Sequence, residues 1–211
     1  MKKIKKLKSF WLMFSIILLA FPNTSFSQTP NATVNLGILE SFEAYTGSGA
    51  ITNGAGATWT GDAGTNNGII SGFGAPPSFI GNTYDTDAVT AQCRFDLIRL
   101  YIHFNALFVD YPATHAAAFG TGETITPGVY SIPTAGSIGG SLNLDGGGDS
   151  NAFFVIKFNG AMTVGAGATI NLINGTQSCN VFYIANGAIS VAASANIKGT
   201  LFAKLGAVGL G

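Results

Sequence analysis

The chain has 211 residues, enough for one domain with a core, yet only 9% are charged against the roughly quarter usual in globular domains, so its surface must be largely Thr, Ser, Asn, Ala and Gly. Five of the ten Lys/Arg stand at positions 2, 3, 5, 6 and 8; beyond residue 27, five remain against ten Asp/Glu, a net charge of −5. That balance argues against a basic surface for nucleic acid or anionic lipid.

Residues 1–27 read as a secretory leader: a lysine cluster, an apolar run over 10–21, then Ser25-Phe26-Ser27 as a small-x-small site before Gln28. The mature chain is expected to be residues 28–211, secreted and extracellular. No lipidatable cysteine follows the leader, and no later stretch is long and apolar enough to span a bilayer, so no membrane attachment is expected in the mature form. In an exported protein, Cys93 and Cys179 leave two alternatives open, a disulfide or two buried thiols.

Past the leader the chain repeats itself. Segments 49–61 (GAITNGAGATWTG), 160–172 (GAMTVGAGATINL) and 187–199 (GAISVAASANIKG) align without gaps, and a fourth copy opens at Gly206. Gly and Ala recur where a tight corner leaves no room for larger side chains, and two short alternating strands lie between the corners. The 19 residues from Gly187 to Gly206 suit one turn of a three-sided β-solenoid. Segments 151–158 and 180–185 are apolar on both alternating faces, as for strands covered on both sides. The copies before and after residue 85 imply that N-terminal turns occupy one end of the stack while the C-terminal run climbs back to meet them.

Residues 85–109 interrupt the repeats with the one long stretch of helical period: Val89, Cys93, Leu97, Leu100, Tyr101, Phe104, Leu107 and Phe108 form a single stripe. Thr83 or Asp85 would cap its start, Asp85 and Asp87 would favour its positive end, and Pro112 follows it. A helix of about 37 Å would span seven or eight strands. It is expected to lie on the strands of 153–158 and 181–184. Segment 110–123 fits neither period and is expected to be an irregular cap at one end of the stack. The chain stops inside a repeat, so further C-terminal turns are expected to be missing. The fold expected is mainly β, a right-handed three-sided parallel β-solenoid with one long α-helix packed along it.

Candidate catalytic and metal sites are weak. His103 and His115 lack ligands at metal spacing, the aspartates of Asp145-Gly-Gly-Gly-Asp149 suit a turn better than a calcium loop, and Trp59 holds an inward repeat position. No Ser/His/Asp spacing or phosphate loop is present; the expectation is no enzyme, no cofactor and no metal.

The order of Leu36-Gly37, the 47–53 segment, Asp87-Ala88, Thr126-Pro-Gly-Val-Tyr130, Leu142-Asn-Leu-Asp145, Leu172-Ile-Asn-Gly175, Cys179-Asn-Val-Phe-Tyr183 and Lys198-Gly-Thr-Leu201 resembles the microbial ice-binding protein family. That family's domain is a discontinuous β-solenoid with a long flanking helix. Tyr183 stands where the family more often has Trp. The resemblance implies a secreted, monomeric antifreeze protein whose partner is the ice crystal surface. It would inhibit ice growth and recrystallisation. Ice offers no charge and no pocket, only a periodic plane of water that a flat array of small side chains can match. In the repeats Ile51, Met162, Val164, Ile189 and Val191 would point inward, leaving Ala50, Thr52, Ala161, Thr163, Ala188 and Ser190 as the preferred ice-binding face, continued by Ala207 and Gly209. Thr58, Thr60, Thr169 and Asn171 form the second choice, interrupted by Lys198. A Thr-(Ala/Gly)-x-(Thr/Asn) element repeated in some active members occurs here only as Thr121-Gly-Glu-Thr124, in the expected cap. The competing reading is a secreted adhesin or polysaccharide-binding β-solenoid, for which exposed aromatics beside carboxylates or amides would be expected and the preferred face has neither.

Overall fold

A computed structural model describes residues 35–54, 59–74, 79–107, 111–112 and 115–211. The leader segment therefore lies outside the described residues. The fold is mainly β, with parallel sheets and, among the described residues, one α-helix. The strands before the helix are β1 (Phe42–Thr46), β2 (Ile51–Asn53), β3 (Trp59–Thr60), β4 (Asp62–Thr65), β5 (Ile70–Ser71), β6 (Phe79–Ile80) and β7 (Thr83–Asp85). Helix α1 spans Ala88–Ala106. After it come β8 (Tyr111–Pro112), β9 (Ala118–Ile125), β10 (Gly128–Ile132), β11 (Gly136–Asp145), β12 (Phe154–Phe158), β13 (Met162–Val164), β14 (Thr169–Ile173), β15 (Val181–Ala185), β16 (Ile189–Val191), β17 (Thr200–Ala203) and β18 (Val208–Leu210).

The first sheet runs β7-β4-β1-β17-β15-β12-β10-β8, all parallel. The second runs β14-β11-β13-β16-β18-β2-β5, with β9 also on β11. A short third ladder pairs Trp59 with Phe79. Strand β11 is long enough to serve two ladders. Its first half pairs with β13 and its second with β14, with Gly140 at positive φ between them. The stack is discontinuous: β1 lies beside β17, and β18 sits between β16 and β2, so the C-terminal repeat docks on the N-terminal one.

Stacking turns leave the corners no room. A Cβ on Gly206 would lie 2.2 Å from the Ala188 nitrogen, and one on Gly49 would lie 2.7 Å from the Ala207 nitrogen. The glycines that open each repeat are thus fixed by the approach of the neighbouring turn.

Strands β12 and β15 are buried at every position. Their inward side chains, Phe154, Ile156, Phe158, Val181 and Tyr183, fill the interior with Ile51, Met162, Ile170 and Ile189. Their outward ones, Val155, Phe182 and Ile184, pack with Cys93, Leu97, Leu100 and Phe104 of α1. The helix therefore lies where the doubly apolar strands placed it.

Its bounds differ from the sequence reading. The 85–109 span begins instead at Ala88, because Asp85 pairs in β7 with Thr65 of β4. Asp87, rather than Thr83 or Asp85, is the cap: its carboxylate accepts from Thr90 N at 2.8 Å, and its own N–H donates to the Thr90 hydroxyl at 2.8 Å. The helix ends at Ala106, where Leu107 turns extended; residues 108–110 lie outside the described residues. Nearby, Lys157, 8% exposed, donates to the Phe104 carbonyl at 2.9 Å and places a cation at the negative helix end. Nineteen residues reach roughly 28 Å, and the seven steps of the eight-stranded sheet roughly 34 Å. The helix thus carries the chain from the β7 end to the β8 end.

Segment 110–123 is corrected too. Rather than an irregular cap, it supplies β8 at the end of the first sheet and most of β9, which pairs with β11 from Ala118 to Ile125. Glycines at 120 and 122 take positive φ at its bend, masking the strand alternation. The cysteine alternatives resolve as well: Cys93 is fully buried on the inner face of α1, Cys179 is exposed in the 3-10 turn before β15, and both are free. The proposed Cys93–Cys179 disulfide is not formed, because only Cys93 faces the helix contact.

Three expectations follow from this packing. Asp87→Ala removes both arms of the capping box and should cost about 1 kcal/mol, read as a melting point lower by roughly 2–4 °C. The Tyr183 hydroxyl is buried with no hydrogen-bond partner among the described residues, and burial pushes its pKa up. Tyr183→Phe should therefore raise stability by about 1 kcal/mol in a denaturant titration; destabilisation would reveal a partner for that hydroxyl. Burial pushes the Cys93 thiol up to about 12, so iodoacetamide at neutral pH should modify Cys179 alone in the native protein and both cysteines after unfolding.

Candidate binding face

The second sheet presents one run of strands whose outward side chains are small except for Ile69 at the β5 end. In register across β9, β11, β13, β16, β18, β2 and β5 stand Ala118, Ser137, Thr163, Ser190, Gly209, Thr52 and Ser71. Two residues earlier, just ahead of these strands, lie Ala116, Ala135, Ala161, Ala188, Ala207, Ala50 and Ile69. Backbone bonds at this level hold the second column aligned: Met162 N to Ala188 O, Ile189 N to Ala207 O, Val208 N to Ala50 O, each 2.9 Å. Between the columns Ile51, Met162, Ile189 and Val208 are buried, so alternation fixes which residues face water.

Neither column carries a charge. The Thr163 and Ser190 hydroxyls make no hydrogen bond with the described residues, and both residues are exposed, while Ser71 reaches Thr52 at 3.4 Å. The hydroxyls are thus available to solvent. The columns are about 6.6 Å apart and step by about 4.8 Å per strand, a two-dimensional lattice of methyls and hydroxyls.

All six preferred positions named from the sequence, Ala50, Thr52, Ala161, Thr163, Ala188 and Ser190, fall in these columns. The sequence reading missed Ala116, Ala118, Ala135, Ser137, Ile69 and Ser71. Strand β11 hid because its inward Gly136 replaces the usual aliphatic residue: a Cβ there would lie 2.3 Å from the Phe158 ring, which fills that space. The β9 positions sat inside the segment read as a cap. For Ile69 and Ser71, the glycine-opened Gly68-Ile69-Ile70-Ser71 was the available signal.

The second-choice residues are arranged differently. Thr169 and Asn171 on β14 are half-buried, Thr60 is exposed, and Thr58 lies outside the described residues, as does the Trp59 side chain. Asn171 donates to Asn143 at 2.9 Å and to Ser141 at 3.0 Å, and Asn143 donates to Thr124 at 3.3 Å. These polar groups bond along the ladder, and Lys198 is exposed on the same side. This surface is knit together internally; the preferred one faces outward.

The remaining polar candidates are structural. His115 stacks on Phe119 with centroids 3.7 Å apart and meets Glu123 at 3.0 Å, closing the end of the stack. The Asp145 carboxylate accepts from Gly147 N and the Asn174 amide, which hold it below the usual carboxylate range, as in an Asx turn.

Comparison with known proteins gives a consistent outcome. Residues 45–209 match the model of a family described as Ice-binding-like. An ice-binding protein of Nostoc sp. (strain HG1) is 29% identical over 193 residues, covering 90% of this chain and 70% of that protein. The crystal structure of an ice-binding protein from an Antarctic bacterium, Flavobacteriaceae, superposes with TM-score 0.71 at 32% identity, covering 84% of this chain and 47% of that one. That from the Antarctic ascomycete Antarctomyces psychrotrophicus gives TM-score 0.68 at 28% identity, covering 83% and 94%. The chain spans less than half of the Flavobacteriaceae chain it matches.

Proposed function

The chain belongs to the Ice-binding-like family, and from that premise we propose that it adsorbs to ice through the Ala/Thr/Ser face of the second sheet, inhibiting ice growth and recrystallisation. The observation that carries the assignment of the face is the two-column array, uncharged and in register across seven strands. Each small side chain contributes little alone. Rigidly spaced together, the methyls order water and the hydroxyls anchor it with no conformational adjustment at the moment of contact.

The same proposal includes the architecture that keeps the face flat, a right-handed three-sided solenoid. The three ladders and the change of ladder within β11 support three sides. Handedness follows the general preference of parallel β crossovers. Secretion rests on the leader pattern of residues 1–27, and action as a monomer on ice needing one face only.

Replacing Thr163 by Tyr tests the face. An exposed strand substitution should shift stability by less than about 0.5 kcal/mol. The ring should nevertheless hold the array off the ice plane and sharply reduce inhibition in a recrystallisation assay. Asn171→Tyr is the control and should leave inhibition intact. The reverse outcome would move the face to the second ladder, and indifference to both would favour an adhesin or polysaccharide-binding role.

A further inference from the structure

Helix α1 is apolar on both sides. Its inner face packs on the first sheet, yet on its outer face Phe95 is 64% exposed, Ile98 42% and Ile102 64%. Successive helical residues turn by about 100°, which places these three, with Ala88, Ala91 and Ala106, in one arc roughly 80° wide. Arg94 stands about 40° outside one edge of that arc and Arg99 about 20° outside the other. Lys204, whose Nζ lies 4.2 Å from the Tyr101 ring centroid, adds a cation beside the Arg94 edge.

Of the five cations beyond residue 27, three therefore lie on or beside this helix, while Lys157 is buried beneath it and Lys198 is exposed two residues past the bridge between Asn196 and Thr169. The sequence-level net charge of −5 averages this arrangement away. At physiological ionic strength charges act over only about 8 Å, so what meets this face is governed by the charges beside it: Arg94, Lys204 and Arg99, the last paired with Asp96, together with the exposed Asp87 at the helix start.

We propose that the outer face of α1 is a reversible docking surface for an anionic lipid bilayer, with Phe95, Ile98 and Ile102 entering the headgroup boundary and Arg94 and Arg99 reaching the phosphates. An apolar arc with basic residues on both edges is the pattern of a helix lying in an interface. The helix lies on the bilayer and does not cross it, since no helix among the described residues is long and apolar enough to span one. Self-association through the same stripe is opposed by charge. Two copies would bring their arginines together, and the one carboxylate within the helix, Asp96, is buried and held by Arg99 at 2.7 Å and Ile38 N at 3.1 Å. Because α1 covers the first sheet and the Ala/Thr/Ser columns belong to the second, a chain docked by its helix keeps those columns uncovered.

The test uses the chain from Gln28, which contains every described element, and sedimentation with phosphatidylcholine vesicles with or without phosphatidylglycerol. Partitioning should be at least about fivefold stronger on the anionic vesicles and should fade at high salt. Phe95→Ser with Ile102→Ser should lower it about tenfold with an unchanged melting point, and Arg94→Gln should lower it several-fold on anionic vesicles only. Should the double variant fold poorly, Ile98→Ser alone carries the same expectation. Thr163→Tyr should bind vesicles like the parent, separating this surface from the ice face. The proposal is overturned if the parent shows no preference for anionic vesicles, if the stripe variants bind as the parent does, or if those variants change only the oligomer mass in analytical ultracentrifugation.

Discussion

The parallel contact, in the middle of the stack, between the first and last turns of the chain sets every other feature. Strand β1 pairs with β17, β18 fills the place between β16 and β2, and the Thr46 hydroxyl donates to the Gly206 carbonyl, 160 positions along the chain, at 2.7 Å. Without that contact the N-terminal turns and the C-terminal turns would be two short stacks, each with an open edge. With it, eight strands form one continuous sheet. Its entropic cost is that of closing a very long loop, which grows only logarithmically with length and is offset by strand pairing on both flanks.

The helix is what makes this discontinuity possible. A chain that has built turns at one end must travel the whole stack before building the rest. An amphipathic helix makes that journey while satisfying its own backbone and burying Cys93, Leu97, Leu100 and Phe104 on the outward side of the first sheet. The sheet answers with residues apolar on both faces, so Val155, Phe182 and Ile184 are as buried as the interior residues they alternate with. Aromatic contacts run along the seam, with Phe182 5.5 Å from Phe104 and 5.3 Å from Phe153, centroid to centroid.

The regular spacing of the exposed columns is a product of this stacking. Their spacing is the spacing of parallel strands, their alignment is the ladder register, and their small size is matched by glycine corners that admit the next turn closely. Ordinary side-chain hydrogen bonding would knit such a surface together, as it does on the neighbouring ladder through Asn143 and Asn171. Alanine at one level and Ser/Thr at the next leave the columns rigid because of the backbone alone.

Sequence by itself determined the repeats, the helix, the doubly covered strands and the six small residues at the centre of the face, because each rests on local periodicity: two for a strand, near four for a helix, glycine at each corner. It did not determine the start of α1, since Asp85 is drawn into a strand by β4, or the state of Cys93 and Cys179, which depends on where a turn ends in space. Strands β8 and β9 were hidden because glycines at a bend break the alternation, and Ala135 and Ser137 because the Phe158 ring substitutes for an inward side chain of their own strand. The outer stripe of α1 was written in the sequence but concealed by its inner one, since a helix apolar on two sides shows little net asymmetry. Only the packed structure decides which of those two sides the sheet covers, because burial depends on the surface each meets and not on the residues alone.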